Sequence, residues 1–349
     1  LPARDIVVIG ASAGGVEALR DLISRLPGDL PAAVFVVLHL GRTRSLLPKI
    51  LQRSSRLPVA HAVHGEAVVP GRVYVAPPDH HLVLADGVVG LSHGPTVNGL
   101  RPAVDPLFQT AAREYGSRVL AAVLTGGGDD GTAGLAEVKR AGGLAVVQDP
   151  EEALHPRMPQ SAIEFVAVDH VLRLPRIAAL ISGEASLPAG EADAGSARTA
   201  EEVLVADEEN RGRVSTLTCP ECNGALWELK DEGILQFRCR IGHIYSPDSL
   251  LEQQAATVDR ALWAALRSLE ERAALCRKLS SQAIARGLQG SGEQFLRRAL
   301  EIDRHADVLR DLISRKLPSL ETPDYAEGGS SEAEDGSPEA ATGEPSTSR

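Results

Sequence analysis

"RVLAAVLTGGGDDGTAGLAEVKRAGGLAVVQDP", residues 118–150, holds an apolar run, a glycine- and aspartate-rich turn, a helix-length amphipathic stretch and a second apolar run. Val119–Leu124 and Leu144–Val147 show no polar alternation, so neither face of either strand is made for water. Strands of that kind joined by a helix belong to a parallel sheet covered on both sides. Outward from this unit, Ile6–Ile9, Ala33–Leu38 and Val73–Val75 repeat the pattern, alternating with helix-length segments to about Leu180. The expected fold class is α/β, a doubly wound and mostly parallel sheet. The stretch Gly71–Leu91, with turns at "APPDHH" and "ADG", predicts antiparallel strands added at one edge.

The 349 residues suffice for one sizeable α/β domain plus smaller modules. The formal charge is −11 and no basic block interrupts it, which argues against nucleic acid as the main partner. No apolar run approaches the roughly 20 residues that span a bilayer. Nor does a charged-apolar-small signal open the chain. Membrane insertion is therefore not expected, and the cytoplasm is the expected compartment. Of the four cysteines three are clustered, a pattern of metal binding rather than of a disulfide framework.

In a parallel sheet the C-terminal ends of adjacent strands share an edge, where sites form. Ser12 follows the first strand within Gly10-Ala11-Ser12-Ala13-Gly14, and His39 ends the second, "AVFVVLHL". Asp129 and Asp130 follow the strand Val119–Leu124. A glycine-rich turn after a first strand can also cradle a dinucleotide pyrophosphate. Here Ser12 stands where that cradle needs glycine, and His39 stands where a ribose-binding acid belongs. A serine, a base and an acid on three strand ends instead suit nucleophilic catalysis, because an imidazole must take the hydroxyl proton and a carboxylate must steady the ring. Each residue alone has a structural alternative: Ser12, Asp129 and Asp130 as helix caps, His39 as a hydrogen-bonded strand end. The chain order Ser, His, Asp also departs from the Ser, Asp, His order of α/β-hydrolases.

Farther along, "CPECNGALWELKDEGILQFRCRIGH" reads C-x2-C-x16-C-x3-H. Cys219, Cys222, Cys239 and His243 are the expected ligands of a closed, structural zinc site, with a hairpin around Asp231-Glu232-Gly233 between the two pairs. Four protein ligands leave no open position, so the zinc has no catalytic part and its loss is expected to leave the strand-end chemistry intact. Leu251, Val258, Leu262, Leu266, Leu269 and Leu279 recur at helical spacing, "ARGLQGSGEQ" breaks the run, and Phe295, Leu296, Leu300, Leu309, Leu312 and Ile313 resume it. An antiparallel helical hairpin is expected there, with Cys276 as a packing residue.

"VVIGASAGGVEAL", "VVLHL", "HGEAVVPGRVYVAPPDHHL", "RPAVDPLFQTAA", "LTGGGDDGTAGL", "GGLAVVQDP" and "MPQSAI" together resemble the catalytic domain of the chemotaxis protein-glutamate methylesterases (CheB-type), in continuous order over about residues 4 to 182. The resemblance implies hydrolysis of γ-glutamyl methyl esters on methyl-accepting chemoreceptors or related signalling proteins, with glutamine deamidation as a second activity and no cofactor for catalysis. It implies a triad of Ser12, His39 and Asp130, the last matching the aspartate of a Gly-x-Asp-Gly motif, with Asp129 in the variable place. Backbone N–H groups of Ala13 and Gly127 are the implied oxyanion donors. The family usually has Met where Gly127 stands and Thr where Ala13 stands, and its regulated members carry a receiver domain; the sequence resembles the receiver-less form. Arg42 and Arg44, after His39, are candidates to meet acidic receptor helices. The Cys219 segment and the helices after it resemble the zinc-ribbon and helical extension of such relatives, an expected docking module for other signalling proteins. The resulting division is a catalytic domain at 1–183, a disordered linker at 184–212, a zinc-ribbon-like module at 213–247, a helical hairpin at 248–317 and a disordered acidic tail at 318–349. The competing reading is a catalytically idle scaffold that keeps the α/β domain for binding.

Overall fold

The structure is a computed structural model that describes residues 4–39, 45–187, 212–231 and 234–315. Most of the expected linker, the expected tail, the hairpin residues Glu232 and Gly233, and Arg42 and Arg44 lie outside the described residues.

The chain opens with β1 (Ile6–Ala11), α1 (Gly15–Ser24), β2 (Ala33–Leu38), α2 (Leu47–Gln52), β3 (Val59–His61) and β4 (Arg72–Val75). After β5 (His81–Ala85) and β6 (Val88–Ser92) come α3 (Val104–Tyr115), β7 (Val119–Val123), α4 (Thr132–Arg140), β8 (Leu144–Gln148), α5 (Arg157–Phe165), β9 (His170–Leu172) and α6 (Leu174–Ala185). Seven strands make one sheet in the order β3-β4-β2-β1-β7-β8-β9. Every pairing in it is parallel. The expected doubly wound sheet is present, and β1 lies at its middle.

Alternation along the buried strands builds two layers. Val7 and Ile9 of β1 pack in one apolar cluster with Leu19 and Leu22 of α1, Leu51 of α2 and Ile181 of α6. Ile6 and Val8 belong to the other, with Leu107 and Phe108 of α3, Val138 of α4 and Ala162 of α5. Both faces of β1 and β2 are buried throughout, which is why these strands read as continuous apolar runs.

Two expectations are corrected. The hairpin does turn at "ADG", with Asp86 and Gly87 at φ 51° and 73°, but β5 and β6 form a separate two-stranded sheet. They join no edge of the main sheet and pack instead on α3, Leu82, Leu84 and Val89 lying in one cluster with Leu107, Phe108 and Ala111, and Leu84 N donating to Thr110 Oγ1 at 3.1 Å. The first domain also runs past 183: α6 continues to Ala185, which is buried, and Glu184 pairs with Arg4.

Packing divides the chain into two compact units, Leu1–Val258 and Asp259–Arg349. The first includes an antiparallel sheet of β10 (Arg213–Thr218), β11 (Ala225–Asp231), β12 (Ile234–Cys239) and β13 (Ile244–Tyr245). The pairing Asp231↔Ile234 brackets the expected hairpin turn. Two long helices follow, α7 (Pro247–Ala285) and α8 (Gln289–Ser314). The break between them is shorter than "ARGLQGSGEQ" suggests. Gly292 lies inside α8, where a Cβ would meet Ile284 Cγ1 at 2.5 Å, and its carbonyl accepts Ser280 Oγ at 2.7 Å. Among the described residues no helix is long and apolar enough to cross a membrane.

Candidate active site

From β1 the chain passes to β2 on one side, and later returns to β7 on the other. The crevice at the C-terminal ends of such strands is where doubly wound sheets bind ligands. The registers Ala11↔Leu38 and Gly10↔Val123 bring the residues that follow, Ser12, His39 and Thr125, to one edge. His39 N donates to Ala11 O at 3.2 Å and Ser12 N to Thr125 O at 2.9 Å, tying the three strand ends together. The serine does not cap α1. That position is Gly14, at φ 73° and without a side-chain cap. Gly126 packs beside the serine, where a Cβ would stand 2.8 Å from Ser12 Cβ and closer still to Met158 Sδ. Only glycine fits there without displacing either side chain.

His39 Nε2 lies 2.7 Å from Asp130 Oδ2. Val104 N donates to the same oxygen at 2.6 Å, while Asn98 Nδ2 and Asp105 N reach Oδ1 at 3.2 and 3.4 Å. Burial pushes the Asp130 carboxyl up, but the His39 bond and charge, with the Val104 and Asp105 amides, outweigh it and hold the pKa below the ordinary value. An ionised Asp130 only accepts, so Nε2 carries the ring proton and Nδ1 keeps its lone pair for a hydroxyl. Among the described residues Ser12 Oγ makes no hydrogen bond, so the serine–histidine contact is not closed in this structure, as is common before substrate binds.

Asp105, which sequence reasoning passed over, is fully buried beside Asp130. Its Oδ1 accepts Gly134 N at 2.7 Å and Gly131 N at 3.1 Å, the free amides at the start of α4. Burial, then the neighbouring Asp130 charge, raises its pKa well above the ordinary value. Asn98 was also missed. Its only signal in sequence is the turn-forming pair Asn98-Gly99.

The backbone groups expected to bind an oxyanion lie on either side of this edge. Among the described residues neither Ala13 N nor Gly127 N donates an internal hydrogen bond, and Gly127 faces open space. Thr125 Oγ1 fixes the Ala13 side, donating to Ala13 O at 3.0 Å while accepting His155 N at 2.8 Å. His81 is a packing histidine: Nε2 donates to Pro95 O at 3.0 Å, Nδ1 accepts Ala103 N at 3.3 Å, and burial lowers its pKa to about 4.

Cys219, Cys222, Cys239 and His243 converge, with their ligand atoms all within 4.8 Å of one another. Cys222 Sγ and Cys239 Sγ are 3.6 Å apart, and His243 Nδ1 is 3.5 Å from Cys219 Sγ and 3.3 Å from Cys239 Sγ. A tetrahedral zinc with ordinary bond lengths has edges of about 3.8 Å between sulfurs and about 3.6 Å between sulfur and nitrogen. The four residues therefore fit that metal, with Nδ1 as the ligand and Nε2 turned to Glu221 Oε2 at 3.4 Å.

A serine with free backbone donors, a histidine and a charged, buried aspartate on one edge of a parallel sheet is the equipment of a hydrolase with a hydroxyl nucleophile. The family model described as CheB methylesterase matches residues 7–181, and the chain belongs to that family. A putative protein-glutamate methylesterase/protein-glutamine glutaminase of Leptospira interrogans is 40% identical over 50% of this chain and 92% of its own length. Protein-glutamate methylesterase/protein-glutamine glutaminase 2 of Anaeromyxobacter dehalogenans is 45% identical over 50% of this chain and 53% of its own. The crystal structure of the Thermotoga maritima CheB methylesterase catalytic domain is 39% identical, covering 51% of this chain and 97% of that one, with a TM-score of 0.49.

Proposed function

We propose that the α/β domain hydrolyses methyl esters of glutamate side chains on a methyl-accepting chemoreceptor or related signalling protein. The observation that carries the reading is the pair His39–Asp130 beside Ser12, in a chain of the CheB methylesterase family. Ser12 Oγ attacks the ester carbonyl as His39 Nδ1 takes its proton. The oxyanion is held by Ala13 N and Gly127 N, donors that are each worth roughly 3 kcal/mol of barrier in other hydrolases. His39 then returns the proton to the departing methoxide, methanol leaves, and a glutamyl ester of Ser12 remains. Water loses a proton to His39, attacks that ester, and releases the glutamate carboxylate and the serine. On a glutamine side chain the same steps release ammonia, which accounts for the second activity in the relatives' names.

Cys219, Cys222, Cys239 and His243 would hold a structural zinc that staples the small sheet, and catalysis needs no cofactor. The helical pair, which exposes Trp263, Leu275 and Val308, would serve as a docking module for other signalling proteins. The test is methanol release from a methylated receptor by the wild type and by Ser12→Ala. Release by the wild type with loss of at least 10³-fold in the variant is expected. Equal release by both removes Ser12 as nucleophile.

A further inference from the structure

The loop that carries Gly127 and Asp130 begins with three consecutive glycines, Gly126-Gly127-Gly128, and Gly128 sits at φ 74°. Glycine backbone is the costliest to order, yet an oxyanion donor works only if it is already in place. Something must hold this loop. Gly126 is fixed from one side, where its N–H donates to His155 O and its carbonyl accepts Met158 N, at 2.9 and 3.0 Å. The other end is held by residues far down the chain.

Asp129 Oδ1 accepts Ser246 Oγ at 2.8 Å and Ser249 Oγ at 3.1 Å. Ser246 Oγ in turn accepts Ser249 N at 3.1 Å, so one hydroxyl caps α7 and anchors the loop at once. Ser246 N donates to Asn98 Oδ1 at 2.9 Å, and Asn98 Nδ2 continues to Asp130 Oδ1 at 3.2 Å. The backbone repeats the connection: Asn98 N donates to Ile244 O at 2.7 Å and Ile244 N to Thr96 O at 3.3 Å. Thr96 Oγ1 bonds Glu221, and Arg157 at the start of α5, one residue before Met158, pairs with Asp248 of α7. Asn98 holds its place at φ 56°, in the left-handed region.

We propose that Asp129 and Asn98 are positioning residues through which Ser246 and Ser249 set the loop carrying Gly127 and Asp130, so that the C-terminal module completes the hydrolytic site. Asp129, within Gly128-Asp129-Asp130-Gly131, is thereby the anchor that the three glycines before it require. The proposal rests on the hydrolase reading given above, and its test separates the two.

The full-length protein is treated with a fluorophosphonate, which reacts at an activated serine without needing a glutamyl methyl ester. The rate of Ser12 modification is measured for the wild type, Asp129→Ala and Ser246→Ala, with amide hydrogen exchange followed over residues 125–131. Asp129→Ala leaves the Ser246 cap of α7 in place, so it reports on the loop if Ser246→Ala weakens the helix. Misplacement by fractions of an ångström supports a loss of roughly ten- to a hundredfold in the maximal modification rate, with probe affinity unchanged. Exchange should quicken in 125–131, and Ser246→Thr should restore both readouts. Unchanged rates, or unchanged exchange, or a faster reaction in either alanine variant would each overturn the clamp. A wild type modified at Ser12 that hydrolyses no glutamyl methyl ester overturns the substrate reading and leaves the clamp to its own readouts. A wild type that the probe does not modify overturns both.

Discussion

Asp130→Asn discriminates between the ways an aspartate can serve His39, and the geometry sets the size of the effect. Four donors surround the carboxylate, His39 Nε2 and Val104 N on Oδ2 at 2.7 and 2.6 Å, Asn98 Nδ2 and Asp105 N on Oδ1 at 3.2 and 3.4 Å. An amide has one accepting oxygen, so one pair of donors must face its NH2. The short pair belongs to Oδ2, and the amide oxygen should take that side. The cost is then two unsatisfied donors near Oδ1, about 1–3 kcal/mol each, or roughly 2–6 kcal/mol of stability. His39 keeps its Nε2 proton and its lone pair toward Ser12, but loses the charge that stabilises the imidazolium. Exchanging a charged acceptor for a neutral one forfeits about 1–1.5 kcal/mol of barrier, or roughly tenfold in kcat, with little change in KM. The opposite amide orientation would force the Nδ1 tautomer and cost on the order of 10⁴-fold. Methanol release gives kcat, urea unfolding gives stability, and the ring nitrogen shifts of His39 give the tautomer. Loss below about threefold in a folded variant would refute the role of Asp130. A 10⁴-fold loss with an Nδ1–H ring would refute the orientation argument alone.

Two further outcomes follow from the same contacts. Asp105→Asn keeps the oxygen that accepts Gly131 N and Gly134 N but removes the second buried charge. Because the Asp105 pKa is raised in the folded protein, first by burial and then by Asp130, the wild type loses stability as pH rises from the ordinary carboxylate value toward the raised one. The variant escapes that loss, so its urea midpoint relative to wild type should climb as pH rises above the ordinary carboxylate range, and a flat difference would contradict the raised pKa. Cys222→Ser, or prolonged chelation, should remove one equivalent of zinc and lower the melting temperature. It should also slow methanol release, because His243 precedes the residues 244–246 that bond Thr96, Asn98 and Asp129. Unchanged turnover after metal loss would return the module to the independent role that the sequence suggests.

The legible parts of the fold are those written in consecutive residues. β1, β2, β7 and β8 stand out because both of their faces are buried, and the turn at Asp86-Gly87 because it needs positive φ. The edge strands β3 and β9 do not stand out: each has three residues, and none of those side chains is buried. Nor does period-2 alternation say which sheet a hairpin joins; here the hairpin forms its own sheet against α3, with Leu84 N donating to Thr110 Oγ1 across 26 positions. Ser12, His39, Asp130 and the four zinc-type ligands are chemically distinctive at recognisable places. Asn98, Asp105, Ser246 and Ser249 are ordinary polar residues whose roles exist only in pairs, up to 148 positions apart for Asn98 and Ser246. One chain without its fold holds no trace of such pairings.

The two buried aspartates show why the site needs both α3 and α4. Asp130, just before α4, accepts the first amides of α3, and Asp105, in the first turn of α3, accepts Gly131 N and Gly134 N at the start of α4. Each helix is thus capped by an acid from the approach to, or first turn of, the other, and both positive helix ends point at one buried pair. Two carboxylates so close cannot both be charged at low cost. The asymmetry between them is decided by His39 and the α3 amides: Asp130 has the imidazole at 2.7 Å and accepts Val104 N at 2.6 Å and Asp105 N at 3.4 Å. Negative charge therefore settles on Asp130, beside the ring that must become positive, while Asp105 is the partner that protonates first. A neutral residue at 105 should keep the fold if it can still accept the α4 amides. A residue that cannot accept them would leave Gly131 and Gly134 unpaired and loosen the turn on which Asp130 stands, so the functional acid depends on the structural one.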